Sequence, residues 1–120
     1  MFDFERFIIA AKLAYRRCSS SAYSFEEVLQ VFQYYFETYE LIFGEAHPMI
    51  SFDQITRIIA KMPFVIDDGE DSGRMIDITP DDYEVIIDQH FITNYRRCDY
   101  NINHFFSGRI REMRYFETLY

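Results

Sequence analysis

Apolar positions recur at helical spacing through most of the chain. Phe4, Phe7, Ile8, Ala11, Tyr15 and Cys18 fall on one stripe and predict a first helix from about Asp3 to Cys18. Ile9 and Leu13 lie on its other side, so this helix is either central in the fold or shared with a partner. Ser19-Ser20-Ser21 breaks the pattern. Ser24 followed by Glu27 then has the spacing of a capping box, and Gly44 suits a C-terminal cap. Between them Phe25, Val28, Leu29, Phe32, Phe36, Tyr39 and Phe43 form an inward stripe. Glu26, Glu27, Gln30, Gln33, Glu37 and Glu40 face the other way, with Tyr34 and Leu41 set among them as a small exposed apolar spot.

Ser51 with Gln54 repeats the capping box and opens a third helix, with Phe52, Ile55, Ile58, Ile59 and Met62 inward and Pro63 as its stop. Phe64-Val65-Ile66 and Met75-Ile76-Asp77-Ile78 are short β-prone runs around the acidic loop Asp67-Asp68-Gly69-Glu70-Asp71-Ser72-Gly73, and they predict a hairpin. Thr79-Pro80-Asp81-Asp82 starts a fourth helix: a capping Thr, Pro in the first turn, then acids that suit the positive end of the helix dipole. That helix is predicted to run to about Arg97, with His90 on its Tyr83, Ile86, Ile87 stripe as a hydrogen-bonded core residue. A fifth begins near Tyr100, capped by Asp99, and bends or breaks near Ser107-Gly108. The predicted fold is mainly α: about five helices around an aromatic core, one short β-hairpin between helices three and four, and a single helical domain over 1–120.

Composition supports that picture. The 13 Phe and 10 Tyr supply a core, since each buried aromatic removes roughly 150–250 Å² from water. With 4 Gly and 3 Pro there is little material for the turns of a many-stranded sheet, and the aromatic content excludes disorder. Two cysteines and no recognisable signal peptide predict a reducing compartment, with the cytoplasm as the default. The apolar run from Phe7 to Ala14 is interrupted by Lys12 and is too short to span a bilayer, so no membrane association is expected.

Charge is segregated along the chain, and the net value is −8. Residues 1–23 carry +2, residues 24–90 carry 15 acids against three cations, and residues 91–120 return to +2. Phosphate repulsion disfavours non-specific DNA binding by the whole surface. Two candidate surfaces follow. The acidic one comprises Glu26, Glu27, Glu37, Glu40, Asp67, Asp68, Glu70 and Asp71, either a solvated face or a phosphate mimic for a partner's nucleic-acid channel. The basic one rests on a repeated tetrapeptide, Tyr15-Arg16-Arg17-Cys18 and Tyr95-Arg96-Arg97-Cys98, each closing a predicted helix. Arg in a last turn complements the helix dipole in any case. If both ends share one side, Arg16, Arg17, Arg96, Arg97, Arg109, Arg111 and Arg114 form a patch interleaved with Tyr95, Tyr100 and Tyr115, suited to phosphates and bases.

A winged helix-turn-helix is the fold-level form of that reading, with Gln54, Thr56, Arg57 and Lys61 facing a groove; the acidic hairpin loop in the wing position argues against it. Zinc on Cys18, His90, Cys98 and His104 lacks any compact ligand spacing. The loop from Asp68 fails as a calcium loop because Thr79 stands where the bidentate Glu is needed. A Cys18–Cys98 disulfide requires the two helix ends to meet in an oxidising compartment. No phosphate loop, dinucleotide turn or nucleophile elbow is present, so neither catalysis nor a cofactor is expected.

The polar–aromatic run Cys98-Asp99-Tyr100-Asn101-Ile102-Asn103-His104-Phe105-Phe106-Ser107-Gly108 resembles small helical proteins carried by phages and mobile elements, a resemblance that assigns no residue a role. The expected function is a small acidic, non-enzymatic protein-binding or regulatory module, including inhibition by charge mimicry. The alternatives are a nucleic-acid binder using the basic patch and a structural homo-oligomer using Ile9, Leu13, Tyr34 or Leu41.

Overall fold

Most helices begin where the sequence supplies a cap. In a computed structural model, described for residues 1–18, 22–67, 75–93 and 99–119, Asp3 Oδ1 accepts from Arg6 N–H to open α1 (Phe4–Arg17). Complete capping boxes open α2 (Phe25–Phe43) at Ser24/Glu27, α3 (Phe52–Lys61) at Ser51/Gln54 and α4 (Pro80–Ile92) at Thr79/Asp82. Gly44, at φ +71°, closes α2 in the left-handed conformation that glycine adopts without a Cβ penalty. The hairpin is present, with β1 (Val65–Asp67) antiparallel to β2 (Met75–Asp77) and Ile66 opposite Ile76.

The C-terminal third departs from the expected pattern. α4 ends at Ile92, not near Arg97, although no Gly or Pro stands there. Thr93 takes an extended conformation as the cap, its Oγ1 donating to Gln89 O and accepting from Arg114, while its carbonyl accepts from the Tyr100 hydroxyl. These side-chain contacts override local helix propensity. The second Tyr-Arg-Arg-Cys copy therefore lies beyond the cap and outside the described residues. The fifth helix, expected to bend or break near Ser107-Gly108, breaks there into α5 (Ile102–Phe105) and α6 (Ile110–Thr118), with Gly108 at φ +55°. Asn101, rather than Asp99, caps α5; Asp99 Oδ1 instead accepts from Asn101 N–H.

The helices follow one another in space as α3–α1–α2–α4–α6, each packing on the next. α3 packs mainly on α1 rather than on α2, so the helix-turn-helix alternative, which the acidic hairpin loop already argues against, gains no support from the packing. Val31 and Tyr35 join the expected α2 stripe in the core, whereas Phe43 is substantially exposed. The rings interlock closely: Phe2 stacks on Phe36 at 4.1 Å, and Phe7 meets Phe32 edge-on at 4.8 Å.

Tyrosine hydroxyls tie this core to the connecting segments. Tyr15 donates to Tyr23 O (2.7 Å) and Tyr35 to Tyr100 O (2.6 Å); Tyr23 donates to Ile78 O and Tyr83 to Met62 O. Burial raises the Tyr23 and Tyr83 hydroxyls well above the ordinary tyrosine range, so both stay protonated donors. Tyr83→Phe leaves the buried Met62 carbonyl without that donor and should destabilise the fold by about 1–3 kcal/mol, read by urea unfolding.

Two buried histidines couple the fold to pH. His47 Nε2 accepts from Ile102 N–H at 3.0 Å, so Nδ1 carries the proton and donates to Pro48 O at 2.7 Å. Desolvation lowers the pKa of His47, and it lowers that of His90 to about 3, aided by His104 and Arg114. The unfolded chain, with histidines near about 6.5, then binds more protons than the folded one at mildly acidic pH. The stabilisation is complete above about pH 6.5 and is lost as pH falls toward the folded values. Thermal midpoints should drop from about pH 7.5 to about pH 5, before most carboxylates titrate, and His90→Gln should flatten that slope.

Candidate functional site

Side-by-side packing of α2 and α4 brings their outward faces together. α2 carries Glu26, Glu27, Glu37 and Glu40, α4 carries Asp81, Asp82, Glu84 and Asp88, and neither has a Lys or Arg. Neutral donors join the two helices. Gln30 Nε2 donates to Asp81 Oδ1 and to Glu84 Oε2, each at 2.9 Å. The Tyr34 hydroxyl donates to Asp88 Oδ1 at 2.7 Å, and within α2 Gln33 Nε2 donates to Glu37 Oε1 at 2.9 Å. Desolvation first, then the bond to Asp88 and its charge, push the Tyr34 pKa up to about 12.

The result is a groove of about 390 Å³. Leu29 and Tyr34 form its apolar floor, and Glu26, Glu37 and Glu84 ring it with Gln30 and Gln33 between them. A long basic side chain suits that arrangement, its methylene stem on the floor and its cation among the carboxylates.

Of the acidic residues expected from sequence, Glu26 and Glu37 line this groove. Glu27 Oε1 is partly committed to the cap, accepting from Ser24 N–H, and Glu40 lies 3.2 Å from the Met1 amino group. Asp67 ends β1 on the hairpin, while Asp68, Glu70 and Asp71 lie outside the described residues. The α4 carboxylates were missed, although Asp81, Glu84 and Asp88 recur at three- and four-residue intervals, the spacing of one helix face.

The described members of the expected basic patch do not assemble. Arg16 and Arg17 are exposed at the end of α1, with Arg17 over the Phe52 ring at 5.2 Å. Arg109 pairs with Glu112 at 2.9 Å. Arg111 donates to Lys61 O and the Tyr83 hydroxyl, its guanidinium lying over Phe64 and Phe106. Arg114 is only 2% exposed, bound to Glu117 and Thr93, because it sits where α6 packs on α4. Tyr115 is buried and the Tyr100 ring packs against Phe91, so neither offers a stacking platform. Tyr95, Arg96, Arg97 and Cys98 lie outside the described residues.

Of the expected apolar contacts, Ile9 and Leu13 are 68% and 52% exposed on α1, and Leu41 is 85% exposed near the end of α2. Tyr34 is half-buried, its hydroxyl bound to Asp88 of α4. The Cys18 thiol, its pKa raised by burial, contacts Thr56 O at 3.7 Å. Among the described residues, no three His, Cys, Asp or Glu side chains are placed to hold a metal ion, and no helix is long and apolar enough to cross a membrane. No family model, curated protein or solved structure matches the chain.

Proposed function

We propose that this protein is a non-enzymatic binding module whose α2–α4 groove receives a basic segment of a partner protein. The observation that carries the reading is the carboxylate rim held by the neutral donors Gln30, Gln33 and Tyr34, with no cation on either helix. Neutral donors orient the carboxylates without cancelling their charge, so the field is left for a partner. Such a rim also competes with phosphate for a basic channel, which makes charge-mimicking inhibition of a nucleic-acid-binding protein the finer form of the proposal.

The test is affinity capture from the native host's lysate, with and without nuclease and at two salt concentrations. A protein that survives nuclease and is lost at high salt is expected. Glu37→Lys with Glu84→Lys should weaken its binding about tenfold or more, equivalent to about 1.4 kcal/mol. Lys12→Glu on α1 should leave it unchanged. A partner indifferent to the double reversal, or recovery of nucleic acid alone, overturns the reading. Displacement of the captured protein by added polynucleotide supports the mimic form.

A further inference from the structure

The opposite charge lies on α1 and α3, and the α3 cations line a groove. Arg57 and Lys61 stand one turn apart there and, with Gln54 and Ile58, form one wall of a groove of about 300 Å³. Asn103, Phe106 and Ser107 from the α5 region form the other wall. Among the described residues neither Arg57 nor Lys61 pairs with a carboxylate, and even Asp53, one turn before Arg57, forms no ion pair with it. Like charges at this helical spacing repel. Among the described residues Arg16 and Arg17 on α1 also lack a carboxylate partner, but Arg57 and Lys61 line a groove, where an external anion would relieve their repulsion.

The groove's other groups match an anion. Gln54 Oε1 accepts from Ser51 N–H, which leaves the amide's NH₂ to donate. Asn103 Nδ2 gives one hydrogen to Asn101 Oδ1 and retains the other. Ile58 and Phe106, both nearly fully buried, give each wall an apolar side chain between its polar groups. The wall is anchored, because Arg111 holds the Lys61 carbonyl at the end of α3.

We propose that this groove binds the phosphate group of a small phosphorylated molecule of about mononucleotide size. Arg57 presents a planar fork to two phosphate oxygens and Lys61 a point charge, with the Gln54 and Asn103 amides as neutral donors. A volume at the lower end of ligand pockets favours a small phosphomonoester over an extended strand. The site is independent of the acidic groove on α2 and α4.

The experiment is a backbone-amide NMR titration of the full chain at low ionic strength. The probes are inorganic phosphate, a nucleoside 5′-monophosphate and a short single-stranded oligonucleotide, with chloride at matched ionic strength as control. Both small phosphates should give saturable shifts at Gln54, Arg57, Lys61, Asn103 and Ser107 that chloride does not. Arg57→Ala and Lys61→Ala should each weaken binding about tenfold with helical circular dichroism unchanged. Glu37→Lys on the acidic groove should not weaken it. Absence of saturable shifts at millimolar phosphate overturns the proposal, as does binding that persists in the Arg57→Ala/Lys61→Ala double variant. Binding of the oligonucleotide alone also overturns it, in favour of strand recognition.

Discussion

The structure depends on tyrosine hydroxyls reaching backbone carbonyls where the chain leaves regular structure. Met62 and Thr93 are the C-caps of α3 and α4, Ile78 follows β2, and Tyr100 precedes α5; each has its carbonyl bound by a tyrosine. Carbonyls at such places lack an intrahelical donor, and burying them unpaired is costly. A ring that fills the core while its hydroxyl pairs the carbonyl meets both demands at once. Tyr100 shows the strength of the arrangement: it holds φ +57°, a conformation unfavourable for a bulky side chain, while its carbonyl accepts from Tyr35 and its hydroxyl donates to Thr93.

That scaffold separates charge by helix pair. α1 and α3, packed together, carry Arg6, Lys12, Arg16, Arg17, Arg57 and Lys61 against Glu5 and Asp53. α2 and α4, also packed together, carry carboxylates alone. The packing order α3–α1–α2–α4 sets the two pairs beside each other without interleaving them. Ion pairing within the fold is correspondingly sparse, and the described pairs lie at the N-terminus and on α6.

Elements with a local chemical signal were legible in the sequence. Capping boxes at Ser24 and Ser51, the Thr79-Pro80 start and the Gly44 stop all stand where the helices begin and end. The end of α4 was not legible, because Thr93 is held by Arg114 and Tyr100 from beyond the helix, and no local residue announces the stop. Arg114 misled for the same reason: its sequence neighbours suggest a surface cation, but helix packing turns it inward against Glu117 and Thr93. Most of the acidic groove, Glu26, Gln30, Gln33, Tyr34 and Glu37, was visible as the outward face of α2. The rest required knowing that α4 packs beside it, a tertiary fact that periodicity in either helix alone does not contain.

The chemistry joining α2 to α4 explains how two helices of one charge can lie in contact. Carboxylates on adjacent helices repel, and the usual remedy is a lysine or arginine between them. Here Gln30 bridges Asp81 and Glu84, and Tyr34 holds Asp88. Each bond to an ionised acceptor is stronger than a neutral one and fixes the carboxylate's direction. None of them removes charge. An arginine at position 30 would relieve the repulsion more fully, but it would also quench the field around the groove. The glutamine and tyrosine retain an oriented, uncompensated carboxylate surface, at the cost to the fold of some electrostatic repulsion.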